Sequence, residues 1–241
     1  MQTKIAGIIP SRFASSRLPG KPLLSIGGKT MIQRVYEQAC KCKLLNQVIV
    51  ATDDDRIASA VKLFGGNVMV TSPSHLNGTE RCSEVAAFID ADIIVNIQGD
   101  EPFIDPLQIG LLCETILQPK VEIATLVRPF KNADELNMPA RVKAILSEEN
   151  IAFNFTRKVV EGNNVYKHIG LYAFEKEVLL KLVTLDPTES ELAEQLEQLR
   201  WLDNGYKIHC AITESEAIAI DTPEDFDRVT EWFEQNKHRL A

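Results

Sequence analysis

Short β-branched apolar runs alternate with stretches in which apolar residues recur every three or four positions, and these two periods divide the first half of the chain into strands and helices. Ile5 to Ile9 reads as a buried strand that stops at Pro10, a residue with no N–H to give a central ladder. Leu23 to Ile26 and the turn Gly27-Gly28 lead to a helix with Thr30 as N-cap and Met31, Val35 and Ala39 facing inward. Gln47 to Thr52 is a second strand, ending on Asp53-Asp54-Asp55. That acidic cluster could hold a metal, but capping the next helix is the favoured reading, since Ile57, Ala60, Val61 and Phe64 follow at i, i+3, i+4, i+7. Gly65-Gly66 ends this helix and Asn67 to Val70 is a third strand.

A polar loop, Thr71 to Arg81, opens the next helix, and Asp92 to Asn96 is apolar enough to be a central strand. It runs into Ile97-Gln98-Gly99-Asp100-Glu101-Pro102, where Gly99 permits an unusual turn and Asp100 sits at the strand tip. Pro106 starts another helix. This order predicts an α/β fold of three layers, a mostly parallel Rossmann-like sheet with helices on both faces. From Ile123 the pattern changes. Runs at Ile123 to Val127, Arg141 to Leu146, Ile151 to Thr156 and His168 to Phe174 follow with little helix between, so a small mixed-sheet insert is expected around 130–190 within one domain spanning 1–241. Helical spacing returns at Glu175 to Val183 and Glu191 to Leu202. Lys207 to Thr213 and Ala217 to Ile220 read as strands, and Thr222 and Pro223 open the last helix.

The chemistry concentrates in the loop after the first strand. Arg12, Arg17 and Lys21 are spaced by Ala14, Ser15, Ser16 and Gly20, so three cations stand beside backbone amides that small residues leave accessible, a receptor for several phosphates at once. Asp100 and Asp221 each follow an apolar strand and precede a turn into a helix. In a doubly wound sheet both tips lie on the edge that carries this loop, where two carboxylates can hold Mg²⁺ against phosphates. The hydroxyls, amides and Arg81 of the 71–81 loop suit a base and its ribose. Gly28-Lys29-Thr30 is not a Walker motif, because the first glycine would fall on Leu23, and no G-x-G-x-x-G is present.

Composition narrows the partners. The 241 residues are 45% hydrophobic and 25% charged, with Lys plus Arg 26 against Asp plus Glu 34, a net charge of −8. An acidic chain whose cations cluster in one loop argues for a small anionic ligand and against nucleic acid. No apolar run approaches membrane-spanning length and Met1-Gln2-Thr3-Lys4 leads straight into a strand, so no membrane insertion is expected and the cytoplasm is the default location. Five scattered cysteines read as reduced, mostly buried thiols.

The stretch I-P-S-R-x-x-S-S-R-L-P-G-K-P-L from Ile9 resembles the nucleotide-binding signature of the sugar-acid cytidylyltransferases, most of all those acting on 3-deoxy-manno-octulosonate (Kdo). The landmarks continue in order: V-A-T-D at 50–53, G-T-E-R at 78–81, Q-G-D-E-P at 98–102, V-K at 142–143, F-x-R at 155–157, H-x-G-x-Y at 168–172, E-Q-L-R at 197–200 and D-T-P-E-D at 221–225. The resemblance implies transfer of CMP from CTP to the anomeric hydroxyl of Kdo with release of pyrophosphate, a step toward lipopolysaccharide, and a homodimer formed through the insert. By the same resemblance, Arg12, Arg17 and Lys21 would hold the triphosphate, and Thr71, Gly78, Thr79 and Arg81 would line the nucleoside pocket. Asp100 and Asp221 would bind Mg²⁺, and Gln98, Arg157, His168, Tyr172, Glu197 and Gln198 would surround the sugar acid. No side-chain nucleophile is required, and His168 reads as a hydrogen-bonder to the sugar. The segment Lys158 to Asn164 departs from the family pattern: it is short and lacks an Ile-Pro pair. That keeps 8-amino-Kdo and sialic acid open as substrates. A non-catalytic sensor is the alternative from another class, disfavoured by the retained carboxylates and cations.

Overall fold

Successive residues of the first strand, β1 (Ile5–Ser11), enter different cores: Ile5 and Ile9 pack into one apolar cluster, Ala6 and Ile8 into another. The two-residue period of a strand puts these sets on opposite faces of the sheet. The computed structural model describes residues 3–14, 18–215 and 218–240. After β1 come a 3-10 turn at Lys21–Leu23, a hairpin of β2 (Ser25–Ile26) and β3 (Lys29–Thr30), then α1 (Met31–Cys40), β4 (Gln47–Thr52) and α2 (Asp55–Leu63). Next follow β5 (Val68–Val70), α3 (Gly78–Phe88), β6 (Ile93–Asn96), α4 (Pro106–Ile116), β7 (Ile123–Arg128), α5 (Ala133–Asn137), β8 (Lys143–Leu146), β9 (Ile151–Thr156) and β10 (Val165–Glu175). The chain continues through α6 (Lys176–Leu182), α7 (Glu189–Glu194), α8 (Gln198–Asp203), β11 (Ile208–Ile212) and α9 (Pro223–Leu240).

Among the described residues, nine strands form one sheet in the order β5-β4-β1-β6-β10-β7-β11-β9-β8. One core is built on α1, α2 and α4 through Ile32, Val35, Ile57, Val61 and Ile109; the other on α3, α6 and α8 through Val85, Leu179 and Trp201. Strands β5, β4, β1 and β6 run parallel, so their C-terminal tips share an edge. The sheet is mixed where a mostly parallel one was expected, because β10 returns antiparallel between β6 and β7. Its beginning therefore lies at the edge where β6 ends. The start of β10 also pairs with β8, so β10, β7, β11, β9 and β8 close on one another.

Most local signals hold. Thr30 caps α1 by accepting from Gln33, Asp54 caps α2 by accepting from Arg56, and Thr222 accepts from the Asp225 amide. Met31, Val35 and Ala39 are fully buried. Four of the five free cysteines are buried and Cys40 is exposed. Elsewhere tertiary context decides. β1 runs through Pro10 to Ser11, because pairing with β6 has already ended at Ile8 and no ladder bond is asked of residue 10 on that side. The helix expected over 191–202 is two helices, split where Gln195 takes a left-handed φ of 53°. Residues 218–220 are not a strand, and Ala217 lies outside the described residues.

Candidate active site

The shared strand edge opens into a cleft of about 320 Å³. Its walls come from the end of β1, the loop after β6, the 3-10 turn, the loop opening α3 and Asp221, two residues ahead of α9. Lys21 organises one end. Its Nζ donates to Asp100 Oδ2 at 2.9 Å, to Asp221 Oδ1 at 3.3 Å and to the Ile220 carbonyl at 2.8 Å. Two carboxylates 121 positions apart in the chain are thus drawn onto one ammonium by a loop, a strand tip and the lead-in to α9. Their oxygens are hard donors and remain partly open to solvent, at 25% and 41% side-chain exposure, which suits a hydrated divalent cation. Among the described residues no group of three or more His, Cys, Asp or Glu could hold a metal, so two carboxylates would leave the remaining ligand positions to phosphate and water.

Arg12 is exposed in the cleft wall, and Arg17 lies outside the described residues. Gly99 is needed for a reason other than an unusual turn: its φ is not among the positive ones, but a Cβ there would lie 2.8 Å from the Pro10 carbonyl oxygen and 2.9 Å from Ser11 Oγ. The Q-G-D segment can approach β1 this closely only without a side chain. Gln98 lines the cleft and donates to the Gly170 carbonyl at 2.6 Å, joining the end of β6 to β10.

On the nucleoside side, Gly78 and Arg81 line the cleft. The buried Arg81 guanidinium donates to Thr71 Oγ1 at 2.5 Å, to the Ser72 carbonyl at 3.3 Å and to Asp53 Oδ2 at 3.0 Å. It shapes the loop, and Thr71 is its acceptor rather than a lining residue. Asp53 of the acidic cluster is thereby explained as an anchor for Arg81. Sequence reasoning missed His75, Leu76 and Asn77, which also form this wall. Asn77 had a readable signal, because its side chain caps α3 through the Glu80 amide, three residues on.

The residues expected around the sugar do not line the cleft except for Gln98. They lie behind it. Thr79 donates to Glu197 Oε2 at 2.9 Å, and burial pushes the Glu197 carboxyl up to about 7. Gln198 is buried at the start of α8. His168 stands between Phe155 and Tyr172, with ring centroids at 5.1 and 5.3 Å, and its Nε2 lies 3.1 Å from Thr125 Oγ1. Desolvation holds its pKa down to about 3, so the imidazole is neutral and too weak a base to take a proton near neutral pH. Tyr172 is buried against Trp201 with its hydroxyl toward Thr125, and the Asn96 Oδ1 across the strand pair lacks a hydrogen-bond partner among the described residues. Arg157 is tied to the end of α7, its amide donating to Glu194 Oε2 at 2.9 Å and its Nε to the Glu194 carbonyl at 3.0 Å.

The family model described as Cytidylyltransferase matches residues 6–208. A 3-deoxy-manno-octulosonate cytidylyltransferase of Parabacteroides distasonis is 48% identical, over 93% of this chain and 96% of its own. The chain belongs to this cytidylyltransferase family. The Bacteroides thetaiotaomicron 3-deoxy-manno-octulosonate cytidylyltransferase is 47% identical over 95% of this chain and 98% of its own. A solved CMP:2-keto-3-deoxy-manno-octonic acid synthetase, complexed with CTP, superposes with a TM-score of 0.93 at 37% identity, covering 97% of this chain and all of that one. Beyond the family, a putative glucose-1-phosphate thymidylyltransferase of Bacillus anthracis shares only the fold, with a TM-score of 0.70 at 18% identity.

Proposed function

We propose that this chain transfers CMP from CTP to Kdo, releasing pyrophosphate, with its chemistry at the Lys21–Asp100–Asp221 junction. The observation that carries the reading is the convergence of those two carboxylates on Lys21 within the cleft, in a chain 48% identical to a Kdo cytidylyltransferase. The anomeric hydroxyl attacks the α-phosphorus, the bond to the β-phosphate oxygen breaks, pyrophosphate leaves and the hydroxyl proton passes to solvent. Arg12 and Lys21 hold the triphosphate and take up charge as pyrophosphate departs. Arg17 joins them in this reading. Asp100 and Asp221 would hold Mg²⁺, which would supply Lewis-acid chemistry by lowering the pKa of the attacking hydroxyl. Arg81, with Thr71 behind it, fixes the nucleoside loop, and Gly78 and Thr79 open α3 toward the base. Gln98 receives the sugar acid at the cleft wall, and Arg157, His168, Tyr172, Glu197 and Gln198, which do not line the cleft here, would complete that side. The buried Asn96 amide oxygen, without a hydrogen-bond partner among the described residues, supports a hydroxyl-bearing ligand on that side.

The wider reading follows. The product would feed lipopolysaccharide assembly in the cytoplasm, where CTP is available, and among the described helices none is long and apolar enough to cross a membrane. A homodimer through the 130–190 region is proposed with it, supported by the exposed Phe153 and Val159 there. The deciding assay is pyrophosphate release from CTP and Mg²⁺ with Kdo, 8-amino-Kdo and N-acetylneuraminate offered separately. Release with Kdo is expected; release only with another acid would replace the substrate, and none at all would leave a sensor.

A further inference from the structure

A third apolar cluster, separate from the two large cores, ties together the segments that carry Lys21, Asp100 and Asp221. It holds Ile26, Met31, Ile220 and Val229, with Leu18, Phe103, Phe226 and Phe233 packed against it. Leu18 lies three residues before Lys21, Phe103 three after Asp100, and Ile220 immediately before Asp221. Backbone bonds lock the same segments: the Ile220 amide donates to the Asp100 carbonyl at 2.9 Å, and the Ile220 carbonyl accepts from Lys21 Nζ at 2.8 Å. A shift of this cluster moves all three charged groups together.

One wall of the cluster is α9, and its closest fit is Phe233. Gly27 has φ +55°, and a Cβ there would lie 1.9 Å from Phe233 Cε1, so the ring sits directly on the turn of the β2–β3 hairpin. The Arg34 guanidinium covers the Phe233 ring at 4.2 Å and the Phe103 ring at 5.3 Å, while its Nε donates to the Ile26 carbonyl at 2.7 Å. Phe103 and Phe233 stack with centroids 5.9 Å apart at 13°, and Trp232 meets Phe103 at 5.0 Å. The ring of Phe233 therefore bridges the hairpin to the loop that ends in Phe103.

We propose that Phe233 is a positioning residue for the metal and triphosphate groups: docked on Gly27, Arg34 and Phe103, it sets the spacing of Asp100, Asp221 and Lys21 from outside the cleft. This rests on the reading of Asp100 and Asp221 as the metal pair. The third cluster is small and shares no residue with the two large cores, so its disturbance is read beside a fold probe.

The test is Mn²⁺ titration by electron paramagnetic resonance on the full chain with CTP present, beside steady-state kinetics and Trp232 emission. Phe233→Ala should weaken Mn²⁺ binding and lower kcat by roughly 10- to 100-fold, as expected for a displacement of about 1 Å, with sugar-acid KM within about twofold. Phe233→Leu, which restores apolar contact, should recover most of the Mn²⁺ affinity. Gly27→Ala should repeat the loss with Phe233 intact, and serves if Phe233→Ala does not fold. Mn²⁺ affinity within twofold of the unaltered protein in both variants, with Trp232 emission shifted to show undocking, would overturn the positioning role. Asp221→Asn separates the two readings: if it leaves Mn²⁺ binding unchanged, the metal assignment itself falls.

Discussion

The two sides of the site solve opposite electrostatic problems. On the side proposed for the phosphates, Lys21, Asp100 and Asp221 keep 15%, 25% and 41% of their side-chain surface exposed, and the one ammonium pairs with both carboxylates across 2.9–3.3 Å. On the side proposed for the sugar, Glu197 and His168 are half-buried with no ion pair among the described residues, and desolvation drives each toward its neutral form. Charge is kept where a charged ligand and a metal would share it, and suppressed where hydroxyls would be read by hydrogen bonds. Like charges opposite a triphosphate can be relaxed by solvent, whereas a buried carboxylate facing an acid substrate could not.

The largest way to break the comparison is Asp100→Asn, which keeps shape but removes charge from the phosphate side. We expect kcat to fall by roughly 10²–10³-fold with the melting temperature nearly unchanged; near-normal turnover in Mg²⁺ would show that the junction is only structural. Next is Gly99→Ala. Its Cβ would press on backbone oxygen rather than on a flexible side chain, so the Q-G-D segment must move away from β1. A loss of about 100-fold in kcat/KM is expected, with about 1–3 kcal/mol of stability, read from kinetics and urea unfolding. Full activity would mean that the spacing of β1 and Asp100 is not critical.

The smallest effect sharpens the sugar side. Glu197 has a folded pKa of about 7 against an ordinary 4.5. Below pH 4.5 both folded and unfolded chains carry the proton. Between 4.5 and 7 the unfolded chain releases it first, so the contribution to stability falls as pH rises through that window. Glu197→Gln should remove that loss, flattening the urea-unfolding free energy between pH 5 and 8 by about 1–3 kcal/mol relative to the unaltered protein. Parallel profiles for the two proteins would place the Glu197 carboxyl in water after all.

Legibility differed between the same two sides. The Asp100 end was readable because it follows a strand: in parallel strands, a residue just past an apolar run falls on one known edge, whatever the distance along the chain. Asp221 follows no strand, since residues 218–220 are irregular, and it reaches Lys21 because the Ile220 amide donates to the Asp100 carbonyl at 2.9 Å. The nucleoside wall was half legible. Gly78 and Arg81 were found, but His75 and Leu76 sit on a loop whose path no periodicity describes, and the inward turn of Arg81 toward Thr71 and Asp53 depends on partners 10 and 28 residues away. The sugar side gave motifs without geometry. That Thr79 would meet Glu197, 118 residues on, follows from α3 and α8 covering the same sheet face, a packing fact absent from either segment.

What the sequence by itself determined is therefore local: the caps at Thr30, Asp54 and Thr222, the apolar faces of the helices, the Asp100 carboxylate past its strand and the clustering of cations after the first strand, each set by neighbours within a turn or two. Only the tertiary structure decided the antiparallel entry of β10, the break at Gln195, the passage of β1 through Pro10 and the docking of Phe233 on Gly27. Those outcomes depend on which surfaces meet and which groups lose water. Their energies belong to contacts between segments far apart in the chain.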